Sequence, residues 1–100
     1  MNLQGKTALI TGASRGIGKA VANELASQGI QRLLLVARDR KKLAEVATEI
    51  TAKGVEVITL AIDLTKPKEI RIAIAKIENS YGAIDILINC AGVVHQAPFL

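Results

Sequence analysis

Apolar runs of strand length alternate along this chain with segments whose apolar residues recur every three or four positions. Lys6 to Thr11 reads as a buried strand around Thr7-Ala8-Leu9-Ile10. Gly16 to Gln28 reads as a helix, with Ile17, Ala20, Val21 and Leu25 on one face, and Gly29 ends it. The unbroken run Arg32-Leu33-Leu34-Leu35-Val36-Ala37 predicts a second strand, covered on both faces. A second helix follows over Arg40 to Lys53, with Leu43, Val46, Ala47 and Ile50 as its stripe, and Gly54 stops it. Glu56 to Ile62 is a third strand. Thr65 is placed to cap a third helix, with Pro67 in its first turn. Ile70, Ile74, Ile77 and Tyr81 line up along that helix and Gly82 closes it. Ala83 to Asn89 reads as a fourth strand, and Cys90 to Leu100 as a loop.

Strands joined by helices predict parallel pairing through right-handed crossovers. The class is α/β: a doubly wound parallel sheet in the order 3-2-1-4, with helices on both faces and the third helix opposite the first two. Such a sheet expects a fifth strand beside the fourth, so the chain reads as truncated before it. The Ile84-Asp85-Ile86-Leu87-Ile88 run then keeps an open apolar edge, and a polypeptide of this length alone is expected to dimerise or aggregate.

Composition narrows the function classes. Half of the 100 residues are hydrophobic, but only Tyr81 and Phe99 are aromatic, so the core is aliphatic. The formal net charge of +4 suits a mildly basic surface or a phosphorylated ligand. Nucleic acid is not the expected partner, because no basic binding motif appears and stacking groups are nearly absent. Cys90 is alone, which excludes a disulfide framework and a cysteine metal cluster. Met1-Asn2-Leu3-Gln4-Gly5-Lys6 lacks the features of a signal peptide. No apolar run approaches the roughly 18 residues of a membrane span. A cytoplasmic protein is the expectation.

The stretch Thr11-Gly12-Ala13-Ser14-Arg15-Gly16-Ile17-Gly18 carries the chemistry. Three glycines at a strand-to-helix turn let the backbone come close to a pyrophosphate. The helix start behind them offers free N–H groups and a positive dipole end. Ser14 is placed to bind phosphate rather than to attack a substrate. The spacing of Gly12, Gly16 and Gly18 is TGxxxGxG, unlike the GxGxxG of many dehydrogenases.

TGASRGIG resembles the cofactor fingerprint of the short-chain dehydrogenase/reductase family. Asp63-Leu64-Thr65 and Asn89-Cys90-Ala91-Gly92 resemble two further motifs of that family at matching intervals. The resemblance implies a Rossmann-like NAD(P)-binding domain over residues 1–100, the N-terminal part of a larger reductase domain. It implies that Asp63 lies near the adenine and accepts a hydrogen bond from its amino group, with Leu64 adding backbone and apolar contact. The alternative for Asp63 is service to the turn before the third helix. Asn89 is implied to be a tie between strands, with its backbone region and Ala91-Gly92 beside the cofactor ribose. Cys90 departs from the family's usual second asparagine.

The identity of the dinucleotide turns on the end of the second strand. NAD sites place Asp or Glu there, about 20 residues past the glycines, for the ribose 2′-hydroxyl. This chain has Arg38. A guanidinium can pair with a 2′-phosphate through two parallel hydrogen bonds and stack on adenine. Arg15 is a second cation able to reach that phosphate. The competing reading makes both arginines solvated surface charges. Asp39 can hold the ribose hydroxyls or cap the second helix, the latter being better matched to its position. Arg40, Lys41 and Lys42 add positive potential but oppose the helix dipole. The balance predicts NADP over NAD.

Hydride transfer to a carbonyl also needs a proton donor. The resemblance implies a tyrosine four positions before a lysine, with a serine upstream, all beyond Leu100. Tyr81 is followed four positions on by Asp85, and it reads as a packing residue. His95 has no partner in the sequence and no assigned task. No catalytic or metal-binding residue is therefore assigned. The leading reading is the cofactor-binding part of an NADP-dependent oxidoreductase acting on a small carbonyl or alcohol, a dimer or tetramer when complete. The alternative is a non-catalytic dinucleotide-binding module or an inactive fragment.

Overall fold

The computed structural model describes residues 2–63 and 65–90. Seven elements follow one another: β1 (Thr7–Thr11), α1 (Gly16–Ser27), β2 (Arg32–Ala37), α2 (Arg40–Thr51), β3 (Glu56–Ala61), α3 (Pro67–Tyr81) and β4 (Ile86–Asn89). The strands form one parallel sheet in the order β3-β2-β1-β4. This is the Rossmann-like doubly wound arrangement that the alternation predicts.

Alternate strand residues face opposite layers. Ala8 and Ile10 of β1, with Leu33, Leu35 and Ala37 of β2, pack into a layer with Ala22, Ala26, Leu43, Val46 and Ile50 of α1 and α2. Leu9, Leu34 and Val36 face the other way, against Ile77 and Ile74 of α3. The third helix thus lies opposite the first two. Every residue of β1 is buried, whereas β3 and β4 at the sheet margins stay partly exposed.

The stripe expected on α1 is corrected. Ile17 is 74% exposed and Ala20 is exposed, while Gly18, Ala22 and Ala26 form the buried face. Val21 and Leu25 flank that face half-buried. The reason is close approach: an added Cβ on Gly18 would clash with the carbonyl of Gly12. Small residues at four-residue steps let the helix settle on the sheet where a large stripe would hold it away.

The cap of α3 is also corrected. Its N-cap residue is Lys66, without a side-chain capping bond, and Pro67 lies in the first turn. The Thr65 hydroxyl instead donates to Asp63 Oδ1 at 2.7 Å. β4 begins at Ile86, three residues later than the apolar pattern suggests. Asp85 marks the boundary, where its N–H donates to the Thr7 carbonyl at 2.9 Å and its Oδ2 accepts the Thr7 N–H at 2.9 Å.

Arg32 joins the rest of the sheet's lower end. Its Nε donates to Glu56 Oε1 at 2.8 Å, and Nη1 donates to Thr7 Oγ1 at 3.3 Å and to the Tyr81 carbonyl at 3.4 Å. The guanidinium lies 4.9 Å from the centre of the Tyr81 ring. Tyr81 is therefore a packing residue through this contact, although 39% of it remains exposed.

Candidate cofactor site

The opposite end of the sheet opens into a cavity of about 540 Å³. One wall is the turn after β1, contributed by Gly12, Ser14, Arg15, Gly16 and Ile17. The other is the end of β2, from Ala37 through Arg38 and Asp39, with Lys42 of α2 beyond it. Cys90, just after β4, completes the floor.

Local backbone chemistry explains the turn. The N–H groups of Gly12 and Ala13 donate to the Val36 carbonyl at 2.8 and 3.3 Å, so the chain leaves β1 hugging β2. Gly12 and Gly16 then adopt φ of 67° and 61°, a left-handed conformation that side chains disfavour. Gly18 packs its bare Cα against Gly12. Arg15 precedes α1 in an extended conformation, and no side chain caps that helix start. The first-turn N–H groups of α1 therefore remain available on the cavity side, as an anion site requires.

Arg15 and Arg38 both line the cavity, and both are exposed. Neither is in an ion pair among the described residues. Asp39 resolves in favour of capping, because its Oδ1 accepts the Lys42 N–H at 3.0 Å. The charge run after it divides: Lys42 lines the cavity, and Arg40 and Lys41 do not. Sequence reasoning treated the three as one patch. The cap is the signal that separates them, since it fixes which residue of the first turn folds back toward β2.

Asp63 sits beyond the end of β3. Its Oδ1 accepts both the hydroxyl and the N–H of Thr65, at 2.7 and 2.9 Å. The Thr65 hydroxyl, then the Thr65 N–H, hold its pKa below the ordinary 3.8; desolvation opposes them, and the charges of Arg38 and Lys66 add lesser downward pulls. The turn-serving reading of Asp63 is thus realised, and it uses one carboxylate oxygen. Asn89 ties two strands, its Oδ1 accepting the Thr11 hydroxyl at 2.7 Å. The Cys90 N–H donates to Thr11 Oγ1 and to the Thr11 carbonyl, both at 3.1 Å. These bonds hold the ends of β1 and β4 together beside the glycine turn. Leu64, Ala91, Gly92 and His95 lie outside the described residues.

A strand, a glycine turn with a bare approach at Gly18, an uncapped helix start and a flanking cation describe a nucleotide-binding α/β domain. Residues 6–100 match the short chain dehydrogenase family, and the chain belongs to it. An uncharacterized oxidoreductase of Staphylococcus saprophyticus is 41% identical over 95 residues, covering 94% of this chain and 40% of that protein. The chain spans between 31% and 40% of the length of such curated relatives. Among solved structures, a metagenomic short-chain oxidoreductase in complex with NADP superposes with a TM-score of 0.86 at 42% identity, covering 93% of this chain and 42% of that one. An NAD+-bound xylitol dehydrogenase gives 0.81 at 30% identity, covering 87% and 33%. No helix among the described residues is long and apolar enough to cross a membrane.

Proposed function

We propose that this chain is the cofactor-binding part of an NADP-dependent oxidoreductase of the short-chain type. The observation that carries the reading is the cavity between the glycine turn and Arg38. The cavity's residues suit a dinucleotide: bare glycine backbone and helix N–H groups for the pyrophosphate, cations for an extra phosphate. Gly12, Ser14, Gly16, Ile17 and Gly18 form the pyrophosphate wall. Arg15 and Arg38 hold the 2′-phosphate. Asp63, through the carboxylate oxygen its turn leaves over, accepts a hydrogen bond from the adenine amino group. Asn89 borders the ribose.

The bound cofactor supplies a hydride exchanged with a small carbonyl or alcohol. The chain's residues bind and orient its anionic half. No proton donor is assigned among the described residues. The complete protein is a soluble cytoplasmic dimer or tetramer.

Fluorescence titration with NADPH and NADH tests the assignment. NADPH binds more tightly, and Arg38→Asp reverses the order. Equal affinity for both, or a preference unchanged in Arg38→Asp, refutes NADP.

A further inference from the structure

The geometry points to Lys42 as a third specificity-determining residue, a cation that grips the 2′-phosphate together with Arg15 and Arg38. The inference rests on the reading of the cavity as a dinucleotide site and deepens it.

Three observations converge on this residue. The first is placement. Of the cations Arg40, Lys41 and Lys42, only Lys42 lines the cavity, together with Arg15 and Arg38.

The second is what its backbone does. Lys42 N–H is the group that Asp39 Oδ1 accepts, at 3.0 Å. This bond turns the acid at the end of β2 toward α2. That carboxylate oxygen serves the helix. The bond fixes the Lys42 backbone at the cavity edge.

The third is electrostatic. The first turn of α2 holds no acidic residue, so Lys42 sits against the positive end of the helix dipole. Two lysines outside the cavity find partners: Lys19 of α1 pairs with Glu49 at 3.5 Å, and Lys53, just after α2, donates to Asn23 Oδ1 at 3.0 Å. Lys42 has no such partner among the described residues. An anion in the cavity relieves this arrangement. A phosphate dianion is the fitting one, because it accepts a planar fork from arginine and a rotatable point charge from lysine at the same time.

Titration of the purified protein with NADPH and NADH tests this, using Lys42→Gln with Lys41→Gln as a charge-matched control outside the cavity. Lys42→Gln is expected to weaken NADPH about fivefold and NADH less than about twofold, as loss of one charge-assisted contact requires. Lys41→Gln leaves both within about twofold, since a solvated charge acts only through a screened field. Lys42→Arg keeps the preference for NADPH. An unchanged NADPH affinity in Lys42→Gln overturns the inference. So does an equal loss in Lys42→Gln and Lys41→Gln, which reports diffuse potential, or an equal loss of both dinucleotides. If the unsubstituted protein does not prefer NADPH, the 2′-phosphate reading itself has failed. A preference that collapses in Arg38→Asp but ignores Lys42→Gln leaves that reading intact and removes only Lys42.

Discussion

The two ends of the sheet treat their charged groups in opposite ways. At the lower end Arg32, Glu56, Tyr81, Thr7 and Asp85 satisfy one another, so β1, β2, β3 and the entry to β4 are clasped without any outside partner. At the upper end Arg15, Arg38 and Lys42 surround a cavity, and the one acid among them, Asp39, is engaged with a helix backbone. A closed set of partners contributes to stability. An open set of like charges is useful only when something negative completes it. The contrast separates residues that hold the fold from residues that hold a ligand, although arginine serves at both ends.

Gly18 is where the two roles meet, and substitution there has the largest effect. Gly18→Val forces a branched side chain into the Gly12 carbonyl. The helix must move off the turn at a cost of about 3 kcal/mol or more, as in severe overpacking. Both the urea midpoint and NADPH binding are lost together. A Gly18→Val protein with native stability and native affinity would show that the close approach is dispensable.

At the ligand end, Arg38→Asp is the next largest change. It removes a cation and places a carboxylate where a 2′-phosphate is expected, weakening NADPH about a hundredfold through like-charge repulsion and lost hydrogen bonds. The thermal midpoint stays within a few degrees, because Arg38 is exposed and makes no hydrogen bond among the described residues. A large fall in stability instead would place Arg38 among the fold-holding residues.

Arg32→Ala breaks the comparison from the other side. The variant loses hydrogen bonds to Glu56, Thr7 and Tyr81 and the contact of its guanidinium with the Tyr81 ring. Unfolding free energy falls by about 2 kcal/mol, while NADPH affinity stays within about twofold because the change is at the far end of the sheet. Urea titration and cofactor titration on one preparation read both. Loss of NADPH affinity in a stably folded Arg32→Ala protein would mean that the ends are coupled.

Much of this is legible in the sequence. The runs at Leu33 to Ala37 and Thr7 to Ile10 announce central strands, because only strands covered on both faces are apolar without alternation. The glycine spacing announces the turn, since left-handed φ and close approach have few other solutions. The buried face of α1 was not legible. Alanine and glycine carry little hydrophobic signal, so the large Ile17 drew the stripe around the helix, and only the contact at Gly18 shows which side faces the sheet. Thr65 misled for a related reason. It has the composition of a cap, yet its hydroxyl can serve either the helix or a neighbouring carboxylate, and Asp63 two residues earlier takes it. The division of Arg40, Lys41 and Lys42 was equally hidden, because helix phase relative to the cavity depends on where Asp39 places its cap.

The smallest effect, and a pH-dependent one, concerns Asp63. Its pKa is lowered below 3.8, chiefly by the Thr65 hydroxyl. A carboxyl whose folded pKa lies below its unfolded value binds fewer protons in the native state, so it adds stability above the unfolded pKa. That contribution is present at pH 6 and is lost as pH falls below 3.8, through the folded pKa. Thr65→Val removes the hydroxyl and keeps the N–H. The urea midpoint of Thr65→Val is therefore expected slightly below that of the parent at pH 6, with the difference shrinking toward pH 3. A gap that widens on acidification would reverse the sign and place the Thr65 hydroxyl with the protonated form. The same pair of proteins sharpens the contrast at the upper end. Thr65 acts on the carboxylate oxygen used by the turn, so NADPH affinity at pH 7 changes little if the other oxygen faces the adenine. A matched loss of affinity and stability would show that the Thr65 bonds also position the Asp63 carboxylate in the site.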